Sequence, residues 1–324
     1  MLKFQEKIGK VLTAVLFVST LGFGMGGGEF SSVGMRYGPN LSWSAMGNTP
    51  FVWGEWLPQL VGSLRYVWLE PLDELNYGEK LLTSPTYLKM DASIEVSPFY
   101  AGYSLGLGLR PFKTNPQFEF NFTYESSLYI KSNLEMVTSD VTGIGRIAET
   151  WNADYVVDNI WTADDAEFDY SQSFDFAFVV DYFFAHGGRI GVDAHYMLSD
   201  ISTDFDGKSY DYKINIPVFS RDFIFLLDLY GRVPVGEYFA IVFNSSFIST
   251  GYLRNGSTVE RESLNYAMAK IGPHFSWKQG FQNVMLQFGF WKRLKDRFYD
   301  GSLAQEFIVQ LEYTGYFSFP FQGN

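Results

Sequence analysis

Residues 173–184 alternate between apolar and polar side chains. One parity holds Phe174, Phe176, Phe178, Val180, Tyr182 and Phe184, and the other includes Ser173, Asp175, Ala177 and Asp181. Successive side chains of a strand point to opposite faces, so this period of two predicts a β-strand with one apolar and one polar face. Such a strand has to lie between an apolar medium and a polar one.

The same alternation recurs in 117–130, 190–199, 222–232 and 306–317. The runs reach about ten to fifteen residues, whereas the strands of soluble sandwiches usually have about five or six. A tilted strand needs about 9–11 residues to cross a bilayer. Closure into a barrel also satisfies every backbone N–H and C=O, as hydrocarbon requires. The chain is therefore predicted to be all-β, an antiparallel transmembrane β-barrel.

The first residues predict export. Residues 1–10 carry Lys3, Lys7 and Lys10, and an apolar run over 11–21 is followed by small residues. This order is typical of a secretory signal peptide, and the apolar run is too short to span a bilayer comfortably. We expect residues 1–24 to be the signal peptide, with cleavage between Gly24 and Gly28. A signal peptide followed by a barrel predicts the bacterial cell outer membrane as the destination.

The charge balance limits the classes of partner that are expected to bind the chain. The chain has 24 Lys and Arg against 36 Asp and Glu, a formal net charge of −12, and no cysteine. Nucleic acid is not expected as a partner, because phosphate binding needs a basic face. The absence of cysteine excludes disulfides and a lipid attached through an N-terminal cysteine. Outer-membrane lipid is the expected partner of the barrel wall.

Ten strands give a consistent layout. They are predicted at about 60–70, 86–110, 116–131, 172–185, 189–203, 208–231, 238–252, 263–277, 280–292 and 304–319. The connections 111–115, 186–188, 232–237 and 278–279 are then short and periplasmic, and the external loops are 71–85, 132–171, 204–207, 253–262 and 293–303. The barrel would span 60–324, with 25–59 as a periplasmic or plugging segment.

Twelve strands are the alternative. The long runs 86–110 and 208–231 change parity near Pro98 and near Pro217-Val218, where a bulge is expected. Splitting both runs gives twelve strands but puts 132–171 on the periplasmic side. A hairpin at 30–37 and 41–47 would give twelve by another route.

Segment 132–171 is the candidate for binding. It holds nine acids and one basic residue, Arg146, with aromatic residues between them. One interpretation is a solvated surface loop, and the other is a binding surface for cations, basic peptides or sugars, because aromatic faces bind cations. The spacing of the acids lacks the pattern of a calcium loop. The candidate ligand-binding residues are Trp151, Asp154, Asp158, Trp161, Asp164, Asp165, Glu167 and Asp169.

A family resemblance follows from this loop. Ten strands, an external loop of roughly forty residues, and Trp161-Thr-Ala-Asp164-Asp165 leading into Phe174-Asp-Phe resemble the omptin-type outer-membrane barrels. The resemblance implies a surface protease with an Asp pair on the second loop and an Asp-x-His pair on the fourth. Here Asp164 and Asp165 are adjacent, loop 253–262 has no His, and the Asp-x-His is Asp193-Ala-His195, on a strand.

The remaining motifs predict no catalytic, cofactor or metal site. His274-Phe-Ser276 resembles the His-x-Ser of outer-membrane lipid hydrolases, with Trp277 where that family has Asn. The inward-facing candidates include more acids than bases, and in a narrow barrel they can pair and fill the interior. They are the acids Asp91, Glu95, Glu119, Glu125, Asp175, Asp181, Asp193, Asp222, Asp228, Glu306 and Glu312, and the bases Lys89, Arg110, Lys131, Lys213 and Arg232.

Taken together, these patterns predict a non-enzymatic surface barrel, closed or narrowly conducting, that displays the acidic-aromatic loop for binding. One alternative is an omptin-like protease or another outer-membrane hydrolase. The other is a narrow channel that prefers cations.

Overall fold

The computed structural model describes most of the chain between residues 38 and 317. The described ranges are 38–52, 55–56, 59–72, 86–97, 100–132, 167–184, 187–201, 208–211, 216–219, 221–252, 264–277, 282–295 and 305–317. Residues 1–37, with the expected signal peptide, lie outside them. Within these ranges, no helix is long and apolar enough to cross a membrane.

Fifteen strands are present in the described ranges. In chain order they are β1 (Gly38–Val52), β2 (Glu55–Trp56), β3 (Gln59–Pro71), β4 (Tyr87–Val96), β5 (Tyr100–Arg110), β6 (Gln117–Ser132), β7 (Glu167–Phe183), β8 (Arg189–Ile201), β9 (Lys208–Asp211), β10 (Ile216–Phe219), β11 (Arg221–Pro234), β12 (Phe239–Tyr252), β13 (Leu264–Trp277), β14 (Gln282–Lys295) and β15 (Gln305–Phe317).

Twelve of these strands form a closed barrel. Each pairs antiparallel with its neighbour in the order β1, β3 to β8, and β11 to β15, and β15 pairs with β1 to close the ring. Ser44 of β1 lies opposite Ser63 of β3 and opposite Thr314 of β15. Closure leaves no free sheet edge, which is the arrangement that a hydrocarbon surrounding demands.

The predicted fold class is confirmed, and the predicted count of ten strands is wrong. The parity change at Pro98 marks a turn and not a bulge, because the backbone N–H of Ser97 donates to the carbonyl of Tyr100 at 2.7 Å and Val96 pairs with Ala101. The run 86–110 is therefore the hairpin of β4 and β5. The twelfth strand is β1, in the segment for which a plug or a hairpin was expected.

The run 208–231 also differs from the prediction. Strands β9 and β10 pair with each other in a separate two-stranded sheet, and the barrel strand β11 begins at Arg221. The chain thus gains one barrel strand before 86–110 and one within it. Because both added strands precede β6, the direction of β6 is unchanged. The segment between β6 and β7 therefore stays on the same side of the membrane as in the ten-strand prediction.

The connections define two ends of the barrel. The short-turn end carries the connections 111–116, 184–188, 235–238 and 278–281, together with 72–86. The long-loop end carries 53–58, 97–99, 133–166, 202–220, 253–263 and 296–304. An external loop was predicted at 71–85, and the split of 86–110 instead places the connection 72–86 at the short-turn end. In barrels of this kind, short turns are periplasmic and long loops external.

The two faces of the wall differ as the alternation predicts. In β5, Leu107 is 55% exposed on the outer surface, whereas its inward neighbour Arg110 is buried. Phe178 of β7 lies beside Phe120 of β6, with 5.1 Å between the ring centroids, and both rings face outward. Exposed large apolar side chains cover the outer faces of β3 to β8, β11 and β13 to β15, a surface far larger than soluble monomers expose.

Candidate functional site in the barrel lumen

Polar side chains from every barrel strand fill the interior, and glycines make room for them. Gly106 and Gly108 of β5 face inward, where an added Cβ at Gly106 would lie 2.5 Å from a carboxylate oxygen of Asp91. An added Cβ at Gly108 would meet Asn121 and the side chain of Lys89. The small residues of β5 therefore leave space for long side chains from β4 and β6.

One ionic network lies near the short-turn end, and we call it the Asp181 cluster. It consists of Tyr87, Lys89, Arg110, Gln117, Glu119, Asp181, Arg189 and Tyr230. Its first carboxylate, Glu119, accepts hydrogen bonds from Lys89 Nζ at 2.7 Å and from Tyr87 Oη at 2.7 Å. Arg110 donates to Glu119 from Nη2 at 2.7 Å and from Nε at 3.0 Å. This carboxylate thus joins β4, β5 and β6.

The second carboxylate, Asp181, extends the network across β7, β8 and β11. Arg189 donates to its two oxygens from Nε and Nη2, each at 2.6 Å, which is the strong fork geometry. Tyr230 Oη donates to Asp181 Oδ1 at 2.6 Å. Arg110 Nη2 lies 2.9 Å from Asp181 Oδ2 and so bonds to both carboxylates.

The Asp181 cluster is fully buried. Asp181 and Tyr230 are 0% exposed and Glu119 is 1% exposed. Tyr230 also packs with Val179, Val242 and Met285 in an apolar cluster inside the barrel. Side chains from opposite parts of the wall therefore occupy the lumen at this level.

A second group, the His195 cluster, lies six residues from Asp181 along β7 and comprises Asp175, Asp193, His195 and Asp228. His195 Nδ1 is 2.7 Å from Asp175 Oδ2, and His195 Nε2 is 3.0 Å from Asp193 Oδ2. The side chains of His195, Asp175 and Asp193 are 21%, 18% and 15% exposed, so solvent reaches them. Asp228 is directly opposite Asp193 across the strand pair and is 1% exposed.

Lys270 of β13 is a further buried lumenal charge. Its Nζ donates to the side-chain carbonyl of Gln310 at 2.6 Å, and Gln310 Nε2 lies 3.2 Å from the sulfur of Met46. Among the described residues, Lys270 forms no ion pair. It is thus held by a neutral amide between the acids Asp228 and Glu312.

The predicted binding loop remains untested. Trp151, Asp154, Asp158, Trp161, Asp164 and Asp165 lie outside the described residues. Glu167 and Asp169 belong to β7 by their backbone, and their side chains are not among those described. The loop nevertheless leaves the barrel from the ends of β6 and β7, at the long-loop end.

The two hydrolase-like pairs are both inside the barrel. Asp193 and His195 are in contact, but they lie on a strand face in the lumen and not on a loop. His274 and Ser276 are both buried, and no hydrogen bond joins them in the part of the chain that the structure describes. Among the described residues, His274 Nδ1 also has no hydrogen-bond partner. His186 is outside the described residues.

Most predicted lumenal charges face inward, and several lumenal residues were missed. Lys131, Lys213 and Glu306 have side chains outside the described set. The missed residues are Arg65, Arg189, Tyr230 and Lys270. Arg189 shares the parity of Asp193 and His195 in the run 190–199, so extending that run by one residue would have found it. Among the described residues, no group of three His, Cys, Asp or Glu side chains is arranged to hold a metal ion.

Comparisons with known proteins identify no family. No protein-family model matches the chain, and no curated protein sequence matches it. Among solved structures, an outer membrane channel from Pseudomonas putida F1 is 11% identical, with a TM-score of 0.45 over 91% of this chain and 100% of the channel. The translocator domain of the autotransporter NalP from Neisseria meningitidis is 10% identical, with a TM-score of 0.35 over 96% of this chain and 95% of the domain.

The NanC porin is also similar, at 7% identity and a TM-score of 0.38, over 84% of this chain and 98% of the porin. The chain itself closes into an even-numbered antiparallel barrel with an apolar outer surface and a polar, ionic interior. These features define a transmembrane β-barrel of the bacterial outer-membrane type.

Proposed function

We propose that the protein is a non-enzymatic outer-membrane barrel whose lumen is closed and whose external loop, 132–171, binds a cationic or glycan ligand. The observation that carries closure is the burial of the Asp181 cluster. Its eight side chains come from six adjacent strands, β4 to β8 and β11, and bond to one another on the inner face of the barrel. Opening this level of the lumen would require breaking several charge-assisted hydrogen bonds at once.

The composition of the loop supports the binding role. Segment 132–171 holds nine acids and one base; seven of the acids lie in the loop between β6 and β7, and Glu167 and Asp169 belong to β7. This excess of acids favours cations, and the Trp and Tyr residues offer faces for cations and sugar rings. The loop connects β6 and β7 at the long-loop end, which faces outward in barrels of this kind.

Planar bilayers test closure. Purified wild-type protein is expected to give almost no steady current, whereas Tyr230→Ala should open a measurable conductance by removing a ring that is buried in the lumen. Tyr238→Ala is the matched control, because Tyr238 lies exposed in a turn at the short-turn end. A large, weakly selective conductance from the wild-type protein would contradict the proposal.

Dibasic peptides test the loop and the protease alternative together. The double variant Asp164→Asn and Asp165→Asn should fold normally and bind such a peptide more weakly than the wild type. We expect no cleavage by either protein, because the described His195 and His274 lie on strand faces in the lumen and not on a loop. Cleavage that disappears in the double variant would favour the enzyme.

A narrow cation-preferring channel is the second candidate. The solvent-accessible part of the lumen favours it, because Asp175 and Asp193 face a single His195 there. Reversal potentials under a KCl gradient, measured on any current that the Tyr230→Ala variant carries, would distinguish it. Cation preference is expected from acids lining the opened path.

A further inference from the structure

The His195 cluster has more acceptors than donors. His195 bridges Asp175 and Asp193, and both ring nitrogens can donate at once only when the ring is an imidazolium. That single positive charge faces three carboxylates, including Asp228. The cluster therefore keeps an excess of negative charge.

Asp228 and Asp193 form an unfavourable pair unless something lies between them. They are directly opposite on adjacent strands and both face the lumen, an arrangement in which like charges repel. Lys270, a lumenal base of β13 whose charge acts on Asp228, donates its hydrogen bond to Gln310 instead. No described base bonds to Asp228.

Three carboxylate oxygens of the cluster have no hydrogen-bond partner among the described residues. They are Oδ1 of Asp175, Oδ1 of Asp193 and Oδ1 of Asp228, and all three are buried. Asp228 is 1% exposed and belongs to a different strand from the other two. Buried acceptors are nearly always satisfied, so three in one place indicate a missing donor.

The arrangement of the acceptors limits what the donor can be. They do not converge on one point as metal ligands do, because no three acidic or histidine side chains among the described residues form a metal-holding group. A ligand that bonds to the carboxylates of β7, β8 and β11 at the same time needs several N–H donors separated in space. A guanidinium presents such a fork of N–H groups, and a primary ammonium carries three N–H donors on one nitrogen; both have the matching charge.

We propose that the His195 cluster binds a small organic cation carrying a guanidinium or primary amine, inside the lumen. Solvent already reaches His195, Asp175 and Asp193, so such a cation can approach them from the water-filled part of the lumen. Its N–H groups bond to the free carboxylate oxygens, after a small movement of the side chains that cover them. The site is separate from the external loop and does not depend on the loop's binding role.

Agmatine, which carries a guanidinium and an amine, is a suitable probe. Isothermal titration of the full refolded barrel in detergent should give saturable binding with one site per chain. Asp228→Asn and Asp193→Asn should each weaken that binding at least about tenfold, since each removes a charged acceptor. Using two variants guards against one that does not fold, and folding is checked by circular dichroism and heat-dependent gel mobility.

Two controls separate this site from general attraction to an acidic protein. Asp200→Asn removes the same charge from an exposed position, where Asp200 pairs with Arg221 at 3.5 Å, and should leave binding unchanged. The loop double variant Asp164→Asn and Asp165→Asn should also leave it unchanged. No binding by the wild type, equal weakening by Asp200→Asn, or loss only in the loop variant would each overturn the proposal.

Discussion

The phenol ring of Tyr230 occupies the space where Gly191, directly opposite it on β8, lacks a side chain. An added Cβ at Gly191 would overlap the ring and would lie 2.6 Å from Asp181 Oδ1. Because Tyr230 donates to that same oxygen, the glycine permits both the packing of the ring and its hydrogen bond. The absence of a side chain at Gly191 therefore allows side chains of β7, β8 and β11 to bond to one another in the lumen.

Gly191→Ala should destabilise the barrel by about 1–3 kcal/mol, the usual cost of overpacking a filled interior. The ring of Tyr230 would have to move away from Asp181 to accommodate the methyl group. The free energy of unfolding, from urea titration in phospholipid vesicles, measures the effect. Gly236→Ala is the control, because an added Cβ there meets nothing within 4 Å. Equal stability of the two variants would contradict this role of Gly191.

Asp181→Asn should cost about 3–5 kcal/mol of unfolding free energy, the penalty for leaving a buried charge without its partner. The forked hydrogen bonds from Arg189 and the bond from Arg110 would both lose the carboxylate charge. The free energy of unfolding is again measured by urea titration in phospholipid vesicles. Asp200→Asn is the matched control and should cost less than about 1 kcal/mol, because its ion pair is exposed. A similar small cost for both variants would mean that the lumenal network is dispensable.

Phe178→Arg should cost about 2–4 kcal/mol, because a guanidinium would replace a ring on the lipid-facing side of β7. The rings of Phe118 and Phe120 would also lose their stacking partner. Phe112→Arg is the control, since Phe112 lies exposed in a short turn, where the same change should cost about 0–1 kcal/mol. Vesicle unfolding is again the measurement, and a Phe178→Arg variant as stable as the wild type would argue against a lipid-facing position.

The facing of the side chains could be predicted from the sequence, whereas the strand count could not, and with it the direction of the strands at 60–70 and 87–96. Alternation reports which face a residue occupies, and it correctly placed Phe178 outside and Asp181 inside. It does not separate a bulge from a tight turn, because both reverse parity, as at Pro98. The length of the run 86–110 favours a turn between two strands, because the run is far longer than the roughly 9–11 residues that cross a bilayer.

Strand β1 shows a different limit. Its sequence contains Gly38, Pro39, Gly47 and Pro50, residues that are disfavoured in strands. It becomes a strand because β3 and β15 supply hydrogen-bonding partners on both sides. Barrel closure, a contact between the two ends of the chain, has no local signal.

The sequence predicts which charged residues face the lumen, but it does not predict which of them pair. Parity identified Glu119, Asp181 and Arg110 as inward, and the register between distant strands decides which of them meet. Asp181 and Arg110 are 71 residues apart in sequence and 2.9 Å apart in the lumen. Lys270 was missed because Ala267 and Ala269 flank it in a weakly alternating run.

The topology itself can be tested with single cysteines, because the natural chain has none. Leu72 and Arg221 are both exposed, and the twelve-strand barrel puts them at opposite ends. A membrane-impermeant maleimide should label Arg221→Cys on intact cells, whereas Leu72→Cys should react only after the outer membrane is permeabilised. A ten-strand barrel would place residue 72 in an external loop, so labelling of Leu72→Cys on intact cells would contradict the hairpin at residues 97–99.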